Sequence, residues 1–166
     1  MIGARHTPIG WEDHAVLGLS IGCLYRYDID RYHFFDNHTL EATMRDLVER
    51  QPLVVSFNGK HFDGPLMAAV LPSLHDKEWL GEGLFTAWEF LWQRSYDILA
   101  EIWHVDPDRK FERGLNSLDM ISQANGYGAK EMDGATAPRL WAQGRHAEVM
   151  NYCMGDVLKT KRLFDR

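Results

Sequence analysis

The sequence predicts a single α/β domain on three observations. Residues 15–27 form a long, mostly apolar and β-branched stretch; residues 53–57 form a short apolar run set directly before a sharp turn and a helix; residues 145–164 carry helical periodicity to the C-terminal end. A chain of 166 residues with 45% apolar content suits one core of ordinary depth. Charged residues at 25% and aromatics at 12% place it among soluble globular proteins, with disorder confined to loops and termini.

In chain order, residues 15–27 read as the strongest strand. Asp28-Ile29-Asp30 marks a turn into residues 31–35, a second strand closing an antiparallel hairpin. Asn37-His38-Thr39 offers capping side chains ahead of a helix over 40–50, where Leu40, Met44, Leu47 and Val48 recur at helical spacing. Leu53-Val54-Val55-Ser56-Phe57 has the character of a buried parallel strand, broken by Asn58-Gly59. Asp63 reads as the N-cap of the next helix, with Pro65 in its first turn.

Trp79, Phe85, Trp88, Phe90 and Trp92 crowd residues 72–94, with Leu84, Trp88 and Leu91 on one helical face. A helix packed into the core is the plainer reading, and a surface stacking on unpaired bases is the alternative. Residues 95–104 fit a short strand or a helix, and periodicity does not decide between them. Asn116-Ser117 precedes a helix through Leu118, Ile121 and Ala124 that Gly126 ends. No repeat or low-complexity tract divides the chain, so one domain over 1–166 is expected.

A formal charge of −6 argues against a protein that coats nucleic acid through a broad basic surface. It leaves room for a metal-dependent nuclease, which concentrates carboxylates in its site and takes positive field from bound cations. Cys23 and Cys153 are too few for a disulfide framework or a paired-cysteine zinc site. A reducing cytoplasm is the expected location; no apolar stretch suggests a signal peptide or a membrane span.

On the last helix, Val149, Cys153, Val157, Thr160 and Phe164 fall on one stripe at ~100° per residue, the expected core face. Asp156 and Tyr152 lie along one edge of it and, four apart, neighbour each other. An Asp at such a margin requires water, a hydrogen bond or a cation. Lys159, Lys161 and Arg162 are the basic partners at hand if its role is only structural.

Ser56-Phe57-Asn58-Gly59-Lys60-His61-Phe62-Asp63 resembles the second acidic motif of the 3′-5′ exonucleases named DEDD for their four carboxylates. In that motif an Asn at a strand end is followed by an aromatic residue and an Asp. Tyr152-Cys153-Met154-Gly155-Asp156 resembles the third motif, Tyr-x-x-x-Asp, in its tyrosine-bearing form. The resemblance runs from about Trp11 to the C-terminus, with weaker support at Ser117-Leu118-Asp119-Met120 and Leu140-Trp141-Ala142-Gln143-Gly144.

It implies a ribonuclease-H-like fold: a mixed central sheet flanked by helices. It also implies hydrolysis of phosphodiester bonds in nucleic acid by two Mg²⁺ or Mn²⁺ ions. Asp63 and Asp156 would be catalytic residues and metal ligands, Tyr152 would orient the attacking water, and Asn58 and Phe62 would contact substrate. The chemistry is consistent: two carboxylates at ~4 Å repel by ~4 kcal/mol at an effective dielectric of about 20, and hard cations suit oxygen-only sites.

The family's first motif, Asp-x-Glu at the end of a first central strand, has no counterpart. The early acids are Glu12 and Asp13, adjacent to each other, and residues 1–9 make a poor apolar strand. The expected domain is therefore N-terminally incomplete, its missing strand replaced by residues 1–9, by a partner chain or second copy, or by direct pairing of the neighbouring strands. Three readings follow: a metal-dependent exonuclease short of half its ligands, a catalytically silent domain of the same fold that binds nucleic acid or protein, or a globular α/β protein whose motif matches are accidental, with Asp63 an N-cap and Asp156 a solvated helix residue.

Overall fold

In this computed structural model residues 18–71, 91–112, 114–128 and 132–166 are described. β1 (Gly22–Arg26) and β2 (Arg31–Phe35) pair antiparallel, Gly22 beside Phe35 and Arg26 beside Arg31. The turn between them uses Asp30 at φ 51°, a left-handed conformation that short polar side chains tolerate. Gly22 is demanded by packing, since a Cβ there would overlap the ring of Phe35. The first strand is shorter than expected: residues 18–21 stay outside the ladder, and 15–17 lie outside the described residues.

α1 (Leu40–Arg50) has the expected bounds. Its buried Leu40, Met44 and Val48 join Phe35 and Leu91 in the main core cluster, with Leu24, Met67 and Val70 packed around it. The cap differs from expectation. Asp36 supplies the oxygen, its Oδ1 accepting from the N–H groups of His38 and Thr39 at 3.0 Å each, while Thr39 makes no side-chain cap bond to the helix. An Asp can tie its own turn to the backbone two and three residues on, and here that turn delivers the chain into α1.

β3 (Val54–Ser56) and β4 (Ser95–Asp97) pair in parallel, with Ser56 beside Asp97. Between them runs α2 (Asp63–Val70); Asp63 is its first residue, not its cap, and Phe62 takes the cap position without a side-chain bond. Residues 95–104 resolve the strand-or-helix question as both. β4 passes without a loop into α3 (Ile98–Val105), since Asp97 ends the strand in extended geometry and caps the helix with its carboxylate. After a 3-10 turn at Asp108–Phe111 come α4 (Leu118–Ala124), a second 3-10 turn at Gly134–Thr136, α5 (Ala137–Ala142) and the long α6 (His146–Phe164).

The architecture is mixed α/β, but the sheet is not continuous. Among the described residues the hairpin β1–β2 and the pair β3–β4 are separate ladders, so β1 and β3 have not closed on each other by direct pairing. α6 packs on both β1 and β3 and spans the two. Its expected core stripe is only partly buried: Val149 is covered, Cys153, Val157 and Thr160 are half-buried, and Phe164 is exposed, its ring edge-on to Tyr96 at 5.6 Å. The periodicity was sound, but two short ladders cannot cover one face of a 19-residue helix. The aromatic stretch 72–90 and residues 1–17, with Glu12 and Asp13, lie outside the described residues.

Candidate active site

The parallel register sets Ser56 beside Asp97, and the chain then leaves β3 through a tight turn. Asn58 adopts φ 65°, the left-handed region that Asn enters more readily than most residues, and its carbonyl accepts from the N–H groups of His61 at 3.2 Å and Phe62 at 2.9 Å. Gly59 is buried, and a Cβ there would lie 2.5 Å from both Cβ and Oγ of Ser56. Asn58-Gly59 is thus a steric requirement of the turn that carries Asp63 to the first turn of α2.

Asp63 is exposed to water, although protein atoms crowd around its carboxyl. That burial, then the charge of Asp97 and, more weakly, that of Asp156, push its pKa up to about 6 against the pull of its own backbone N–H. Because solvent touches the residue, part of this push is screened. The carboxylates of Asp63 and Asp156 therefore stand within electrostatic reach of each other, one from α2 and one from α6. Cys153, on the same face of α6, feels both: burial foremost, then Asp156 and Asp63, push its thiol up to about 11.

Tyr152 and Asp156 are neighbours as their spacing predicts, and both are half-buried. Burial, then the Asp156 charge and a hydrogen bond to that carboxylate, hold the Tyr152 phenol well above its ordinary range, so its proton stays on. The second 3-10 turn closes over it. A Cβ on Gly134 would lie 2.8 Å from the Tyr152 hydroxyl, and Asp133 adds negative charge nearby. The three bases close to Asp156 in sequence have partners elsewhere: Lys159 with Asp119 at 3.7 Å, Lys161 with Asp165 and the rings of Tyr25 and Tyr27, Arg162 with the ring of Tyr127.

Of the residues singled out in the sequence, Asp63 and Tyr152 each stand within electrostatic reach of Asp156, while Asn58 and Phe62 belong to the turn that leads to Asp63. Sequence reasoning missed Asp97. Its signal was an Asp directly before the apolar run Ile98-Leu99, a capping pattern hidden in a stretch that also reads as strand. Beside the turn, the His61 ring lies 5.9 Å from that of Trp103, and the Lys110 ammonium sits 5.4 Å from the same Trp103 ring. Among the described residues no group of three or more His, Cys, Asp or Glu side chains is placed to hold a metal ion.

A protein family described as a predicted 3′-5′ exonuclease related to the exonuclease domain of PolB matches residues 25–166. The chain belongs to this family. The matched span covers both motifs, the turn before Asp63 and all of α6. No curated protein and no solved structure matches the chain. Among the described residues no helix is long and apolar enough to cross a membrane.

Proposed function

We propose that this domain is a metal-dependent 3′-5′ exonuclease acting on nucleic acid, with Asp63, Asp156 and Tyr152 as its catalytic residues. The observation that supports the reading is that Asp63 and Asp156, from two distant motifs, lie within electrostatic reach of each other in a chain that belongs to an exonuclease family. The donor set fits a hard divalent cation in kind: Asp63 is an oxygen ligand whose ionised form is disfavoured by crowding and by two neighbouring carboxylates, and a cation would relieve that repulsion. Asp63 and Asp156 would hold Mg²⁺ or Mn²⁺, which when bound would supply Lewis-acid charge and lower the pKa of a coordinated water. A second cation would need ligands beyond these two.

The protein's own groups have separate tasks. Tyr152 would donate its hydroxyl proton to Asp156, and its phenol oxygen would accept from a water and orient it toward phosphorus. Attack of that water breaks the P–O3′ bond, releasing a 5′-mononucleotide and a new 3′-hydroxyl end. Asn58 and Phe62 are assigned to the substrate side, next to the cation-and-ring cluster of His61, Trp103 and Lys110, which suits a phosphate and an unstacked base. We read the fold as ribonuclease-H-like, its single domain lacking the first central strand; the break between the two ladders under one spanning helix supports that place for it. Residues 1–9, a partner chain or a second copy would fill it. Two free cysteines support residence in the cytoplasm.

The test is Mn²⁺- or Mg²⁺-dependent release of mononucleotides from a 3′ end, on single- and double-stranded DNA and RNA, lost in Asp63→Asn and Asp156→Asn. Activity that survives both substitutions contradicts the assignment. One observation favours a second reading, a catalytically silent nucleic-acid- or protein-binding domain: the lack of a three-ligand cluster among the described residues. That reading predicts binding indifferent to EDTA and to both Asp substitutions.

A further inference from the structure

Asp97 has no solvent exposure, and its carboxylate is enclosed by backbone N–H groups. Oδ1 accepts from Asn58 at 2.9 Å, Leu99 at 3.1 Å and Ala100 at 3.4 Å, and Oδ2 accepts from Lys60 at 2.8 Å. Two of these donors cap α3 and two belong to the turn before Asp63. The side chain therefore joins segments 37 and 39 residues apart in sequence. Burying a carboxylate is costly unless it is hydrogen-bonded in this way.

We propose that Asp97 is the positioning residue of this site: its buried carboxylate locks the 58–60 turn to the start of α3 and so fixes where Asp63 stands. The turn needs such a lock. The turn's own hydrogen bonds use the carbonyls of Asn58 and Gly59, which accept from His61, Phe62 and Gly64, so the N–H groups of Asn58 and Lys60 are left for Asp97 to hold. Register supplies the geometry, because pairing Ser56 with Asp97 sets the carboxylate under the chain where it leaves β3. A rival role, third metal ligand, is disfavoured by occupancy: four N–H donors on two oxygens use the lone pairs a cation would need.

What the positioning serves rests on the nuclease reading, but the lock itself is measured without it. In the Asp97→Asn chain the side chain keeps one acceptor oxygen and turns an NH₂ toward the donors it cannot satisfy. Amide exchange at Lys60 and Asn58 should rise roughly tenfold while core amides of α1 keep their protection. Mn²⁺ affinity and kcat should each fall ~10- to 100-fold, the usual effect of removing a group that orients a metal ligand, with metal stoichiometry unchanged. Ser117→Ala, which removes the cap of α4 where Ser117 Oγ accepts from Met120 N at 3.2 Å, should lower the melting temperature and leave Mn²⁺ affinity alone.

Unchanged exchange at Lys60 and Asn58 in a folded Asp97→Asn protein overturns the lock. Outright loss of one bound Mn²⁺ makes Asp97 a ligand instead, and an equal affinity loss in Ser117→Ala makes the effect one of general stability. If Asp97→Asn does not fold, the unmodified chain decides: amides of Asn58 and Lys60 exchanging as fast as a free loop refute the proposal, and protection equal to that of Leu99 supports it. If the unmodified chain neither binds Mn²⁺ nor cleaves, the nuclease reading fails and the exchange data still judge the lock.

Discussion

Replacing Asp63 with Asn should stabilise the metal-free fold at neutral pH and do so less and less as the solution is made acidic. The carboxyl ionises near 3.8 without its surroundings and at about 6 in the folded protein. A group that binds its proton more tightly when folded adds stability below the lower value and loses it as pH rises through the higher one. Above pH 6 the native protein therefore carries an ionised carboxylate in an unfavourable place, and Asn keeps the shape of the protonated form. Two pKa units correspond to about 3 kcal/mol. Since Asp63 reaches water, screening reduces this to an expected ~1 kcal/mol, a melting-point difference of ~2–4 °C for a domain of this size. Thermal melts of both proteins in EDTA at pH 4, 5, 6 and 7.5 should show the advantage of Asp63→Asn growing by that amount from the first pH to the last. Added Mn²⁺ at pH 7.5 should reverse the order by stabilising only the unmodified chain. A difference that does not vary with pH, or one that favours the unmodified chain more at pH 7.5 than at pH 4 without metal, would refute the electrostatic reasoning.

Gly59→Ala should cost about 1–3 kcal/mol, because the new methyl meets Ser56 inside a turn that cannot open; urea unfolding checks this, and an unchanged midpoint contradicts it. Gly134→Ala should displace the Tyr152 hydroxyl and lower kcat several-fold while the melting temperature barely moves, since the obstacle is the tip of one side chain. Tyr152→Phe should reproduce that kcat loss and leave Mn²⁺ affinity within about twofold, which calorimetric titration measures. Leu40→Ala, at the centre of the main cluster, should cost ~2–5 kcal/mol in urea unfolding and leave Mn²⁺ affinity per folded molecule unchanged.

What the sequence made legible was local. α1 could be read because Leu40, Met44 and Val48 share one face and that face is buried. Tyr152 and Asp156 could be paired because a helix brings residues four apart together. The meeting of Asp63 with Asp156 needed motif resemblance, since no periodicity links α2 to α6. Asp97 escaped notice because a three-residue strand running straight into a helix has neither a clear two-residue nor a clear 3.6-residue period, and its partners Asn58 and Lys60 come from a distant turn. The N-cap position of α1 falls on Thr39, within the expected Asn37–Thr39, but the side-chain oxygen comes from Asp36, because Asp36, Asn37 and Thr39 are all chemically able to provide it. The break between the two ladders, and the exposure of Phe164 that goes with it, were settled by tertiary pairing, which no run of side chains encodes.

The proposed site requires Asp63 and Asp156 to share one cation, and a double-mutant cycle on Mn²⁺ affinity measures that sharing directly. Calorimetric titration of the unmodified chain, Asp63→Asn, Asp156→Asn and the double variant should show each single change weakening Mn²⁺ at least roughly tenfold and the double variant faring little worse than either, the mark of ligands acting as a unit. Two independent, additive losses, or none at all, would mean that the two aspartates do not serve the same ion.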